Sequence, residues 1–141
     1  MTNQRQFEHE QLEVFQRSLD YLELAEAISA KTLKGKKYLR SQVDCSALSL
    51  VLDVADAAEA YAAVDRVDGY QEAKRTAAKC SASLDACVRL GLLDAEPRAQ
   101  ARLVLSQIVW LLDEIVSMVE GHPLEDGWAW GQMAPDGHKL H

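Results

Sequence analysis

LRSQVDCSALSLVLDVADAAEAYAA, residues 39–63, is the stretch of sequence that decides the predicted fold. Apolar residues recur along it at alternating steps of four and three, which places them on one face of an α-helix: Val43, Ala47, Leu50, Val54, Ala57 and Tyr61. A second stripe with the same spacing runs beside the first: Leu48, Val51, Ala55, Ala58 and Ala62. One neighbouring helix cannot cover two adjacent stripes. We therefore expect this helix to lie between several helices, or between helices and another subunit.

The composition of the 141-residue chain indicates one all-helical domain with a buried core. Apolar residues make up 48% of the sequence, and only 7 glycines and 3 prolines interrupt it, so long helices are favoured over a sheet with many turns. The N-terminus is polar, and the apolar run at 103–119 contains Asp113 and Glu114, so we expect neither a secretory leader nor a membrane span. Three cysteines do not indicate a disulfide framework, and a reduced cytoplasmic protein is expected.

The N-terminal part of the chain predicts one helix before the stretch 39–63. It is expected at about Leu12–Ala30, with one apolar stripe at Phe15, Leu19 and Leu22 and another beside it at Val14, Tyr21, Ala25 and Ile28. A basic turn with a glycine, residues 31–37, follows it. After the stretch 39–63, residues 65–71 are expected to form a turn and a helix cap, because Asp68 and Gln71 have capping-box spacing and Asp65 is an equally good cap.

The third and fourth helices complete the predicted bundle. The third has the clearest heptad pattern: Tyr70, Ala73, Ala77, Cys80, Leu84 and Cys87. Gly91 is expected to end it, and Asp94 to cap the fourth helix. The core stripe of the fourth helix is expected to be Val104, Ile108, Leu111 and Ile115, with a second apolar stripe alongside at Leu105, Leu112, Val116 and Val119. We therefore predict an all-α fold, an antiparallel up-down-up-down four-helix bundle over residues 1–120. An irregular tail follows at 121–141, with Trp128 and Trp130 as candidates for docking.

Three motifs resemble a known family. They are LEVFQ at 12–16, LRSQVDCSALSLVLDVAD at 39–56 and LDACVRLGLLD at 84–94. In this order they resemble the bacterial four-helix bundle proteins first noticed in intervening sequences of large-subunit ribosomal RNA genes. The chain departs at 53–57, where it reads Asp-Val-Ala-Asp-Ala in place of the family's Asn-Ile-Ala-Glu-Gly.

The resemblance implies an antiparallel bundle that assembles into a ring-like homo-oligomer, often a pentamer, with no established enzymatic activity. The family is also similar to the accessory variability determinant proteins of diversity-generating retroelements, whose rings bind a reverse transcriptase and its RNA through basic surfaces. The partners that follow are another copy of the chain, a protein or ribonucleoprotein such as a reverse transcriptase, and RNA. No membrane partner and no cofactor is expected.

The distribution of charge predicts a polarised bundle. The net charge is −7, but residues 26–48 carry +3 and residues 79–102 carry +1, and both segments belong to one end of an up-down bundle. Residues 1–25, 49–78 and 103–120 carry −3 each. The candidate residues for binding a nucleic acid or a partner are basic residues of the positive end: Lys31, Lys34, Lys36, Lys37, Arg40, Arg89, Arg98 and Arg102. Three interpretations stay open: RNA binding, binding of an acidic partner protein, and a lysine-rich turn exposed only to solvent.

A second set of residues is a candidate for oligomer contacts. It combines the second stripe of the stretch 39–63 with apolar residues off the main stripe of the fourth helix: Leu48, Val51, Ala55, Leu103 and Trp110. Trp110 has two alternative interpretations, a peripheral core position or a dock for Trp128 and Trp130.

No catalytic residue and no metal site is predicted. Asp53, Asp56 and Glu59 lie close along one helix, where carboxylates can bind metal or transfer protons, but a solvated or interface stripe is the preferred interpretation. The four histidines match no tetrahedral site, and the cysteines, Cys45, Cys80 and Cys87, are interpreted as small buried hydrophobes. The sequence therefore predicts a non-enzymatic scaffold or accessory subunit. The alternatives are a direct RNA-binding protein and an accessory subunit of a reverse transcriptase.

Overall fold

A computed structural model describes residues 6–121 of the chain. A short 3-10 helix at Glu8–Gln11 precedes four α-helices: α1 Glu13–Thr32, α2 Lys37–Glu59, α3 Ala63–Arg89 and α4 Ala95–Val119. Within residues 6–121 there are no strands, which confirms the predicted all-α four-helix fold. Among these helices, none combines the length and apolar character needed to cross a bilayer. The predicted tail, including Trp128 and Trp130, lies outside the described residues.

Side-chain contacts show that α2 and α3 run antiparallel. Thr76 of α3 donates a hydrogen bond to Asp53 of α2 at 2.6 Å, and four residues further along α2, Ala57 faces Gly69 of α3. Residue numbers therefore rise along α2 as they fall along α3. Ser29 of α1 likewise donates to Asp44 of α2 at 2.7 Å. The helix built from the stretch 39–63 thus lies between α1 and α3. The packing of α4 against α3 and α1 closes the bundle.

The main stripes of α2 and α3 face the core as predicted. Five of the six residues of the first α2 stripe are buried: Val43, Ala47, Leu50, Val54 and Ala57. All six heptad residues of α3 are buried as well. Small side chains in this interface bring α2 and α3 close together, since the Cβ of an alanine at Gly69 would lie 2.6 Å from the Cβ of Ala57.

On α1 and α4 the stripe that is buried in the core is not the one named first in the sequence analysis but the apolar stripe beside it. On α1, Val14, Tyr21, Ala25 and Ile28 are buried, while Phe15, Leu19 and Leu22 are half-buried. On α4 the buried residues are Ala101, Leu105, Ile108, Leu112 and Val116, so the predicted stripe is wrong except at Ile108. In both helices the apolar arc is wider than one stripe, and the position of the neighbouring helices decides which part becomes the core.

The turn between α2 and α3 is three residues long, and the predicted turn at 65–71 is wrong. The helix α2 ends at Glu59, extended backbone at Ala60 and Ala62 reverses the chain, and α3 already begins at Ala63. Tyr61, assigned to the α2 stripe, lies in this turn and is 99% exposed. The guanidinium of Arg66 donates to the carbonyls of Ala60 and Tyr61 at 3.3 and 2.8 Å, which satisfies acceptors that the helix end leaves free.

The connection between α3 and α4 agrees with the prediction. Gly91 has a φ of 77°, and the backbone N–H groups of Gly91 and Leu92 donate to the carbonyls of Val88 and Cys87 at 2.9 Å each. These two bonds are the Schellman motif, which needs a left-handed residue that glycine adopts without strain. Asp94 occupies the N-cap position of α4, although its side chain makes no capping hydrogen bond.

Ionisable groups lie in the core between α1 and α3. Tyr21 and Cys80 are both 0% exposed, and the Tyr21 hydroxyl lies beside Cys80 but has no hydrogen-bond partner among the described residues. Burial raises the pKa of Cys80 to about 11 and also raises the pKa values of Tyr21 and Cys87. Cys80 and Cys87 are buried as predicted, whereas Cys45 is exposed, so its assignment to the core is wrong.

Candidate functional site

The two connections that share one end of the bundle lie side by side. Residues 33–36 join α1 to α2, and residues 90–94 join α3 to α4. A groove of about 260 Å³ between them is lined by residues of both sides, including Lys31, Thr32, Gly91, Asp94 and Pro97. The structure therefore places the two positively charged segments of the sequence at the same end.

Four lysines form the charged surface at this end, which we call the basic end: Lys31, Lys34, Lys36 and Lys37. All four are exposed, and within residues 6–121 none of them makes an ion pair. Tyr38, beside them, is 65% exposed. Clustered lysines that are not neutralised by nearby carboxylates raise the local positive potential, and such a surface attracts phosphate or carboxylate groups.

Two of the predicted binding arginines are already engaged within the bundle. Arg40 lies 3.6 Å from Glu26 of α1 and 3.5 Å from Asp44 of its own helix. Arg98 donates through both Nε and Nη2 to one carboxylate oxygen of Asp85. These pairs are partly exposed, so each contributes little to stability, but each lowers the charge available to a ligand.

The remaining two arginines line cavities other than the groove between the two connections. Arg89 is exposed near the end of α3, in a shallow cavity that it shares with Asp85 and Arg98. Arg102 lines a different groove between α3 and α4, together with Lys74. Lys31, Arg89 and Arg102 thus line three different cavities, and the grouping of all eight candidate residues in one binding site stays a prediction.

The predicted oligomer contacts divide between two sides of the molecule. Leu48 is 47% exposed on α2, and Ala55 is half-buried nearby. Val51 is only 5% exposed, so its apolar side chain is covered by its own bundle and offers almost no surface to another subunit. Leu103, 60% exposed, and Trp110 belong to α4, which packs on α1 and α3 and lies across the bundle from α2.

Trp110 lines a groove between α1 and α4. This groove, of about 610 Å³, is lined by Glu13, Arg17, Trp110, Leu111 and Glu114 among others. Trp110 itself is half-buried. Two carboxylates and one guanidinium rim the apolar floor, so the groove presents mixed charge around an aromatic ring.

The outer surface of α2 carries an apolar stripe that was not predicted. Leu52 is 56% exposed and follows Leu48 by four residues, and exposed Cys45 precedes Leu48 by three. With Tyr38 and Ser41 these residues form one line along the helix, which we call the outward face of α2. The steps of three and four between these residues can be read from the sequence. Because the apolar arc of α2 is wide, the sequence does not indicate which of its residues point outward.

The carboxylates of α2 do not form one site. Asp53 accepts the hydrogen bond from Thr76, Asp56 is exposed, and Glu59 accepts hydrogen bonds from the backbone N–H and Nδ1 of His9 at 3.0 and 2.7 Å. The backbone N–H of His9 holds the pKa of Glu59 below its ordinary value. Among the described residues, no three histidine, cysteine, aspartate or glutamate side chains are grouped so that they could hold a metal ion.

The contact between His9 and Glu59 was missed by the sequence interpretation. The two residues are 50 positions apart, and His9 also packs edge-on against Phe15 with ring centroids 4.6 Å apart. These contacts hold the 3-10 helix, with Glu8 and Glu10, against the C-terminal end of α2. No local pattern in the sequence signals such a pairing.

No protein-family model matches this chain, and no curated protein matches it either. The three motifs at 12–16, 39–56 and 84–94 remain the basis of the resemblance described above, and the resemblance stays a prediction. The functional interpretation therefore depends on the surfaces of the bundle.

Proposed function

We propose that the protein is a non-enzymatic, self-associating four-helix bundle that serves as a scaffold or accessory subunit for a protein or ribonucleoprotein partner. The observation that carries this proposal is the outward face of α2, where Cys45, Leu48 and Leu52 are exposed in one line. Exposed residues of α2 between 41 and 52 are all uncharged: Ser41, Gln42, Cys45, Leu48, Ser49 and Leu52. An uncharged surface that exposes two leucines, with charges only at its margins, is typical of a protein interface.

The interior of the bundle supports the same proposal. It is filled by apolar and small side chains, from Val14 and Tyr21 on α1 to Leu112 and Val116 on α4. None of the described Asp, Glu, Lys, Arg and His side chains is buried; they lie at the basic end, along the grooves and on the outer faces of the helices. Surfaces of this kind recognise other macromolecules through shape and charge.

Self-association can be tested by light scattering across the micromolar range. We expect a mass above that of the monomer, and we expect Leu48→Glu/Leu52→Glu to return the mass to the monomer, because it places charge in the apolar line. Both residues are about half exposed, so the fold should tolerate the change. Leu90→Glu/Met118→Glu is the matched control, since these side chains are 55% and 67% exposed away from α2, and it should leave the mass unchanged. A wild-type protein that is monomeric throughout would refute the proposal.

Direct RNA binding at the basic end is a second candidate, favoured by four exposed lysines that lack ion pairs within residues 6–121. In filter binding, Lys34→Glu/Lys36→Glu/Lys37→Glu should lower affinity for single-stranded RNA by about tenfold or more at low salt. The magnitude of the slope of log affinity against log salt concentration should decrease by about two to three, because each lysine that contacts a phosphate releases about one counterion.

A matched control distinguishes RNA binding by these three lysines from a general effect of the protein's net charge. Arg17→Glu/Arg75→Glu/Lys79→Glu changes the total charge by the same amount on other parts of the helices. It should retain most of the RNA affinity. An equal loss in both variants, or binding that does not depend on salt, would contradict an RNA site made of these lysines.

A further inference from the structure

We propose that the outward faces of α2 from two copies of the chain pair antiparallel, about a two-fold axis that passes near Leu48 and Ser49. This inference rests on the proposed self-association and specifies its geometry. The occupant of the outward face is thus a second copy of the same helix. Three features of α2 point to it: the spacing of the exposed stripe, the charges at the two ends of the helix, and the uncharged surface between them.

The positions along this face of α2 are spaced symmetrically about its centre. Cys45 and Leu52 lie equally far on either side of the midpoint between residues 48 and 49, and the same holds for Ser41 with Asp56 and for Tyr38 with Glu59. An antiparallel copy therefore brings Cys45 level with Leu52 of the partner copy and the two Leu48 side chains close together. A self-complementary patch of this kind is what a two-fold interface requires.

The charged residues at the two ends of α2 interact unfavourably with its own helix dipole. Lys36 and Lys37 lie at its N-terminus, with no acidic residue in the first turn, whereas Asp56 and Glu59 lie near its C-terminus, with no basic residue in the last turn. A helix N-terminus favours negative charge and a C-terminus favours positive charge, so both ends are unfavourable in a single chain. An antiparallel copy supplies the missing charge at each end.

The neighbouring segments strengthen this complementarity. Lys34 adds positive charge just before α2. At the opposite end, the 3-10 helix held by His9 adds Glu8 and Glu10 beside Glu59. In a parallel pair, by contrast, lysines would face lysines and carboxylates would face carboxylates, and such like-charge contacts are strongly unfavourable.

The size of the surface limits the affinity. One helix face buries less than the roughly 1,200 Å² of a standard stable interface, so we expect dissociation in the micromolar range. Because charges at both ends contribute, the affinity should fall as salt rises.

Disulfide trapping with Leu52→Cys tests the geometry. Under mild oxidation, the full-length variant should form a covalent dimer in which Cys45 of one copy is linked to the introduced thiol of the other, because these positions lie level. Within one helix they are seven residues apart, about 10 Å, which is too far for a disulfide. Wild type should link poorly, since its two Cys45 residues would be separated by a similar distance along the helix. Cys45→Ser/Leu52→Cys, the matched control, should also link poorly.

Charge reversal gives a second measurement. Lys37→Glu and Asp56→Lys should each weaken self-association by about five- to tenfold at low salt, and the double variant should recover most of this loss. Both side chains are exposed, so neither change should disturb the fold.

The outcomes of the trapping experiment are distinguishable. Links between Cys45 and the introduced thiol support the antiparallel pair. Links that join two Cys45 residues, or two introduced thiols, would overturn it in favour of a parallel pair. Absence of links at concentrations where light scattering shows an oligomer, a ring for example, would overturn the pairing but not the proposed self-association. A monomer at all concentrations would overturn both.

Discussion

Replacing Gly69 with alanine should destabilise the bundle, although the same change in most helices has the opposite effect. Alanine normally stabilises a helix interior by about 0.5–1 kcal/mol relative to glycine. At Gly69, however, the new Cβ would lie 2.6 Å from the Cβ and 3.0 Å from the Cα of Ala57, which is 2% exposed. Such overpacking costs about 1–3 kcal/mol, so we expect a net loss of about 1–2 kcal/mol in the free energy of urea unfolding.

A swapped pair tests whether this contact is the cause. Ala57→Gly removes the opposing Cβ, so Gly69→Ala/Ala57→Gly should be more stable than the sum of the single variants predicts. Asp68→Ala, next in sequence and exposed, should change stability by less than about 0.5 kcal/mol. A Gly69→Ala variant as stable as wild type would show that α2 and α3 do not pack this closely.

Raising the pH above 9 should destabilise the fold through Cys80. Burial raises the pKa of this thiol from 9.0 to about 11, so the folded state holds its proton more tightly than the unfolded state does. The corresponding stabilisation is complete below pH 9 and is lost as the pH rises towards 11. Two pKa units correspond to about 2–3 kcal/mol. Tyr21, whose pKa burial also raises, adds to the loss above pH 10.

Urea midpoints at pH 8 and pH 10.5 measure this effect. Wild type should lose clearly more stability between the two pH values than Cys80→Ala, which lacks the buried thiol. Cys45→Ala is the matched control, because Cys45 is exposed, and it should behave like wild type. If Cys80→Ala and wild type lose the same amount of stability, the thiol is not the responsible group.

Lys36 and Lys37 of the basic end adjoin Tyr38, the first residue of the outward face of α2. A second copy on α2 would place carboxylates near these lysines, whereas RNA would place phosphates there. We therefore expect the two modes of association to compete. The self-associated form and the nucleic-acid-bound form would then be alternative states of one surface.

Much of the fold could be predicted because helical periodicity is local. The buried stripes of α2 and α3, the Gly91 turn and the position of Asp94 all agree with the prediction. The turn at 65–71 was predicted wrongly because Asp65 and Asp68 were interpreted as helix caps, whereas both lie inside α3, where Gly69 permits close approach to Ala57.

Less of the candidate site could be predicted, because it depends on which residues the fold brings together. Sequence position indicated that the basic residues share one end, but not that Arg40 and Arg98 would pair with acidic residues while four lysines would not. Cys45 and Cys80 looked alike in the sequence, yet one is exposed and the other buried. Burial depends on how each helix is rotated about its axis.

The sequence by itself determined the helices of this protein, their order and the charge at each end of the bundle, since these follow from local periodicity and from short connections. Only the tertiary structure decided which of two adjacent apolar stripes becomes core and which exposed apolar residues remain on α2. The physical reason is that a helix with a wide apolar arc can bury either side of it, and packing against its neighbouring helices selects one. The outward face of α2 is what that selection leaves uncovered.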